Sequence, residues 1–366
     1  MNRIFLDDAG GAPVLDEVTA AVRDLPDGNP SSPHAEGRAS RAALDRARDV
    51  AANAIGANRT EITFTSSGTE AVNLALFGAA RRMPESGAIL TWAAEHQAVL
   101  GAARHLQSEG RHVEIAPVDP AGRADPDAIA PGTALVSIGL ANNEVGTIQP
   151  VREIIDRAHE QGALVHVDAC AGPRWIPLPD RADLVSFSGH KLGAGRGGAL
   201  YVKDGVRIDP LFYGGPQEWG RRAGSEDVAS ATAFASAIAT CTSQRRSRAA
   251  VAEKQAELLR NLLAGLGGRL TGAPERLPNF ATCAFDDRKG EDMLLALDIA
   301  GVAASSGSAC ASGSLDPSHV LLAIGLSLSA ALGSLRLTTG YATTDEEIAR
   351  ARDIISAVLT RSAAHA

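Results

Sequence analysis

Between residues 60 and 205, short apolar runs alternate with longer stretches of helical pattern, and this rhythm constrains the fold more than any other feature. The runs are Glu61–Thr65, Ala88–Trp92, His112–Ala116, Ala134–Gly139, Ala163–Asp168, Asp183–Phe187 and Ala199–Val202. Between them, Glu70–Arg82, Gln97–Glu109 and Val151–Gln161 carry helical spacing. Nearly continuous apolar strands separated by helices predict a mostly parallel sheet covered on both faces. Ligands of such sheets sit beyond the carboxyl ends of the strands, so the residues just after each run are the ones that can carry chemistry. A long helical stretch, Asp227–Leu266, leads to a smaller α/β part with strands at Asn279–Phe285 and Ser334–Thr338 and helices at Glu291–Leu297 and Thr344–Leu359. The expected division is a large domain over residues 13–250, with residues 1–12 and 251–366 forming a small one.

Composition narrows the function. The balance of 35 basic against 43 acidic residues, net −8, argues against nucleic acid as a direct partner. Only 4% of residues are aromatic, too few for a base-stacking platform. No run of 18 apolar residues suggests a membrane span, and the opening residues lack the pattern of a secretory signal. Cys170, Cys241, Cys283 and Cys310 are scattered, which fits free thiols in a reduced, cytoplasmic setting and not a disulfide framework or structural zinc.

Several segments bear on chemistry. The run Gly193–Gly198 matches GxGxxG, but it precedes a strand, so the strand-then-helix geometry of a dinucleotide loop is missing. Ser188, His190 and Lys191 follow the strand Asp183–Phe187, where ligands gather. Lys191 is either an imine-forming amine, which needs a lowered proton affinity, or an ordinary loop lysine. His166, Asp168 and Cys170 alternate and share a face if the strand continues. Asp168 could pair with a protonated ring nitrogen, cap a turn, or belong to a metal set with its two neighbours. Thr65–Glu70 (TSSGTE) ends a strand and opens a helix, which suits a phosphate cradle or a plain capping box. Cys310 sits among Ser, Gly and Ala, residues that build no core around a thiol, so an accessible thiol is the natural inference.

In this order, TSSGTE, AEHQAVL, NNEVGTIQP, HVDA, SFSGHK, SSGSACAS and the arginine of GSLRLTTG resemble the cysteine desulfurases, within the class V aminotransferase group. The likeness runs from about Phe5 to Ile348 and lies nearest the branch whose cysteine sits in an SSGSAC loop. It implies a fold-type I transferase dependent on pyridoxal phosphate, with a large domain around a mostly parallel seven-stranded sheet. By that resemblance Lys191 carries the cofactor and Asp168 pairs with its ring nitrogen. His96 stacks on the ring and takes part in proton transfer. Gly68, Thr69, Ser188 and His190 hold its phosphate. Asn143 contacts the ring-oxygen side and the bound amino acid, Arg336 clamps the carboxylate of L-cysteine, and Cys310 accepts sulfur for transfer to an acceptor protein. No metal is implied. Ser225, closing the glycine-rich stretch from Gly214, would reach the phosphate of a second subunit, making a homodimer.

The chain also departs from the family. Ala171 stands where a glutamine usually contacts the ring hydroxyl, and Leu6–Pro13 reads LDDAGGAP where hydroxyl residues are usual. The C-terminal extension that binds an iron–sulfur scaffold in housekeeping members is not recognisable, so a specialised sulfur pathway is expected. The alternatives are another class V enzyme, an aminotransferase or selenocysteine lyase, and a weakly active sulfur-relay homologue.

Overall fold

The computed structural model describes residues 3–307 and 317–363. Its centre is a seven-stranded sheet in the order Ile62–Thr65, Gly198–Val202, Leu184–Ser188, Leu164–Asp168, Thr133–Gly139, Ala88–Trp92, Val113–Ala116. Gly198–Val202 runs antiparallel to both its neighbours, and the other pairings are parallel. The expected doubly covered sheet is therefore present. Its central strands are buried on both faces, and adjacent residues feed opposite cores. Ile89, Leu135 and Leu184 face the helices Gly68–Ala80 and Gln97–Ser108. Leu90, Val136 and Val185 face a second core with Leu44, Ile154 and Phe234. Period-two alternation sorts these side chains, which explains why the strands read as unbroken apolar runs.

Most element ends move by a residue or two from the expected ones, while the last helix, expected to end at Leu359, runs on to Ala363. The helix expected from Glu70 begins at Gly68, because Ser67 caps it: its Oγ accepts from the Glu70 N–H at 3.2 Å, and Glu70 Oε2 accepts from the Ser66 N–H at 2.8 Å. The strand expected from Glu61 begins at Ile62, because Glu61 closes a capping box with Asn58 instead.

The helix Val228–Gly265 joins two cores. Its start contributes Phe234 and Ile238 to the sheet core, and its end contributes Leu259 and Leu263 to a third cluster with Leu297, Leu335 and Ile355. That cluster also holds Ile4 and Leu6, because Ile4–Phe5 pairs in parallel with Val302–Ala303. An antiparallel sheet of Arg269–Leu270, Phe280–Ala284 and Ser334–Thr338 supports it. This pairing carries residues 7–10 across to the carboxyl ends of the large sheet. Among the described residues no helix is long and apolar enough to cross a membrane.

Candidate active site

A cleft of about 360 Å³ opens at the carboxyl ends of the parallel strands. Gly68, Thr69, His96, Asn143, Asp168, Ser188, His190, Lys191 and Arg336 all line it, although they lie up to 268 residues apart in the chain. Cys310 lies outside the described residues. Ser225 is exposed and lines a separate depression with Ser66, Arg196 and Arg222, so its own chain does not bring it to Lys191.

Lys191 rides on a short helix, Gly189–Leu192, directly after the strand Leu184–Ser188, and its Nζ donates to the Ala9 carbonyl at 3.0 Å. The unusual N-terminal segment thus meets the key amine through backbone, where side-chain hydroxyls are not required. Gly10 in that segment is needed for room: a Cβ there would stand 2.4 Å from the Asp7 carboxylate. Asp7 in turn accepts from Arg336 Nη2 at 2.9 Å, while Arg336 Nη1 donates to the Asn143 carbonyl at 2.8 Å. Arg336 is 2% exposed, and its Nε has no partner among the described residues. A guanidinium locked on two sides, with its buried Nε–H left over, is prepared to receive a carboxylate.

His96 caps the helix Gln97–Ser108, its Nδ1 accepting from the Ala98 N–H at 3.1 Å. Burial lowers its proton affinity, so the ring is neutral with its proton on Nε2. At the start of Gly68–Ala80 the first N–H groups have no intrahelical partner. The N-cap and the anion cradle suggested for Thr65–Glu70 therefore coexist, since Ser67 caps the Glu70 N–H, Glu70 takes the Ser66 N–H, and Gly68 and Thr69 are left toward the cleft. A Cβ at position 68 would lie 2.5 Å from Cys170 Sγ and 2.8 Å from Ser188 Cβ, so only glycine permits this approach. Ser188 Oγ and His190 Nδ1, 2.8 Å apart, complete the rim.

The three alternating residues separate into different roles. His166 is wholly buried, and both its nitrogens are taken, Nδ1 by Ser137 Oγ at 2.9 Å and Nε2 by Ser186 Oγ at 3.1 Å. Burial pulls its pKa down to about 4. The strand ends at Asp168, whose Oδ1 accepts from the Cys170 N–H at 2.9 Å. Burial, then the Asp168 charge, pushes the Cys170 thiol well above its ordinary range, so it stays protonated. Among the described residues no three His, Cys, Asp or Glu side chains form a metal-holding group. Ala171 lines the cleft with only a methyl group.

Sequence reading missed two acidic side chains. Glu95 lines the cleft, and burial pushes its pKa up to about 8. Glu144 accepts from Ser318 Oγ, and burial raises it to about 7. A carboxyl whose folded pKa exceeds its unfolded value holds its proton more tightly when folded. Its contribution is complete below about pH 4.5 and is lost as pH rises through the folded value. Stability should therefore fall between about pH 4.5 and 8. In Glu95→Gln that fall should shrink by roughly 2–5 kcal/mol, as denaturant unfolding at pH 5 and pH 8.5 would show. An unchanged pH slope would mean Glu95 ionises freely in the folded chain.

Residues 4–351 match the Aminotransferase class-V family. The chain is 39% identical to cysteine desulfurase IscS of Methanosarcina thermophila over 98% of its own length and 92% of that protein's. The chain belongs to the cysteine desulfurases. Among solved structures, a NifS-like protein superposes with a TM-score of 0.91 at 31% identity, covering 98% of this chain and 100% of that one. A structure of SspA in complex with cysteine matches at TM-score 0.79 and 29% identity, over 93% of this chain and all of that one. The desulfurase fold is thus the fold-type I fold expected from the motifs. The metal alternative for His166, Asp168 and Cys170 finds no support in the geometry, because His166 spends both nitrogens on serines.

Proposed function

We propose that this desulfurase takes sulfur from L-cysteine with pyridoxal phosphate as cofactor, leaving L-alanine and a persulfide on Cys310. The observation that carries the reading is the convergence of Lys191, Asp168 and the half-satisfied Arg336 on one cleft beside a helix start. The donor set suits the cofactor: a glycine-cradled helix terminus with Ser188 and His190 for the phosphate, Asp168 for the ring nitrogen, His96 for the ring face, and Lys191 as covalent anchor. When bound, pyridoxal phosphate supplies an electron sink for charge developing at the Cα of an amino acid.

The chain's own residues then divide the work. Arg336 and Asn143 hold the carboxylate of cysteine and so fix which bond at Cα faces the sink. The freed Lys191 amine takes the Cα proton. The Cys310 thiolate attacks the substrate sulfur; an S–S bond forms, the Cβ–S bond breaks, and its electron pair stays with the carbon skeleton. Two protons then complete alanine, and an acceptor protein of unassigned identity takes the terminal sulfur. The test is purified protein given cysteine: alanine and one added sulfur on the Cys310 peptide should appear together. Alanine without that sulfur would point to a different class V activity.

Arg336→Ala should raise KM for cysteine about 10- to 150-fold, equivalent to about 1.5–3 kcal/mol of charge-assisted bonding. The effect on kcat should be smaller, and an unchanged KM would remove Arg336 from the substrate site.

The reading extends to a homodimer in the cytoplasm. Phe212 and Tyr213, just before the stretch from Gly214 to Ser225, and Trp219 within it are 52%, 78% and 45% exposed, apolar surface that a second copy would cover. Ser225→Glu and Lys191→Ala, each inactive alone, should regain activity when co-expressed, because a mixed dimer keeps one undamaged site. Inactive mixed dimers would place Ser225 outside the partner's site.

A further inference from the structure

Behind the cleft lies a polar line that the reaction above does not use. Three neighbouring parallel strands set Ser137 opposite His166, and Asp168 opposite Ser186. Ser137, His166 and Ser186 are wholly buried and Asp168 nearly so, in a layer otherwise filled by Leu135, Leu184 and Leu200. Polar groups at such depth persist only when each donor meets an acceptor.

The donor directions follow from counting protons. Ser186 has one hydroxyl proton, and it goes to Asp168 Oδ1 at 3.2 Å. His166 Nε2, 3.1 Å from Ser186 Oγ, must then donate to that hydroxyl oxygen. With that proton on Nε2, Nδ1 accepts from the Ser137 hydroxyl at 2.9 Å. Each dipole in the line points toward the Asp168 carboxylate, and the Cys170 N–H points there too, at 2.9 Å. The titratable groups that feel the Asp168 charge include His166, Cys170, Glu95 and His96, and Lys191 lines the same cleft. Burial lowers the proton affinity of His166 and His96 and raises that of Cys170, so the hydrogen bonds that reach Asp168 along this line come from oriented neutral donors.

We infer that His166 is a positioning residue: through Ser186 it keeps Asp168 an oriented anion, and so keeps the proton between Asp168 and the cofactor ring on the ring nitrogen. This rests on the pyridoxal phosphate reading. Without the Nε2 proton, the Ser186 hydroxyl is free to turn away, Asp168 becomes more basic, and the shared proton shifts toward the carboxylate. A less positive ring makes the nitrogen joining Lys191 to the cofactor more basic.

The experiment loads wild type, His166→Phe, His166→Gln and Ser186→Ala with cofactor labelled with ¹⁵N in the ring. It reads the ring ¹⁵N chemical shift and the pH midpoint of the cofactor absorbance. In His166→Phe and Ser186→Ala the ¹⁵N signal should move toward the unprotonated position. The absorbance midpoint should rise by about one pH unit, the size of one charge-assisted hydrogen bond. His166→Gln, which keeps an amide donor, should lie closer to wild type. If His166→Phe fails to fold, Ser186→Ala decides alone. Wild-type signals in Ser186→Ala overturn the inference, and the line is then packing only. A wild type with no cofactor on Lys191 overturns the functional reading and this inference with it, an outcome visible before any variant is made.

Discussion

Lys191→Ala should leave a folded protein that no longer traps cofactor on borohydride reduction and releases no measurable alanine from cysteine. The short helix Gly189–Leu192 is set by Gly189, pressed within 2.4 Å of the Arg196 carbonyl if it carried a Cβ, and not by the lysine side chain. Truncating that side chain therefore removes chemistry and spares the frame. Two functions are lost together, the covalent anchor and the base for the Cα proton. General base catalysis alone is worth about 10²–10⁴-fold, so the combined loss should exceed that range. Peptide mapping after reduction supplies the check: in wild type the label belongs on the peptide holding Lys191. A label on Lys203, Lys254 or Lys289 would place the reacting amine elsewhere and undo the assignment of the cleft.

Cys310→Ser should separate the two halves of the reaction. Binding of cofactor and cysteine depends on Lys191, Asp168 and Arg336, so the variant should still change its absorbance on adding cysteine. Sulfur removal needs a thiolate, which a hydroxyl does not replace near neutral pH. Alanine release should fall to background while the spectral change persists. The competing thiols are poorly suited: burial pushes Cys241 up to about 11 and Cys283 to about 12, and Cys170 stays protonated beside Asp168. Sulfur appearing on any of these three in wild type would overturn the role given to Cys310.

Some of this was open to reading before any coordinates. The strand–helix rhythm located the carboxyl-end residues Thr65–Glu70, Asp168 and Ser188–Lys191, because a fully buried parallel strand must be apolar along its whole length and its first polar residues mark its exit. The sequence singles out Cys310 by the small residues around it, and that position lies outside the described residues. Other features depended on distance. Asp7 and Arg336 are 329 residues apart, and the pairing of the N-terminal segment with Val302–Ala303 and with Thr338 brings them to 2.9 Å. Nothing in LDDAGGAP says that Gly10 makes room for the Asp7 carboxylate and that the Ala9 carbonyl receives Lys191.

His166 draws the line most clearly. Its alternation with Asp168 and Cys170 told which residues share a face, since side-chain direction along a strand is a local property. Whether that face held a metal, a turn or a hydrogen-bonded line depended on Ser137 and Ser186, supplied by neighbouring strands through register. Local pattern determined the sheet, the helices and the strand ends where chemistry gathers. Register and domain packing decided which distant side chains meet there, because hydrogen-bond partners and desolvation are set by neighbours in space, and a linear pattern carries no record of them.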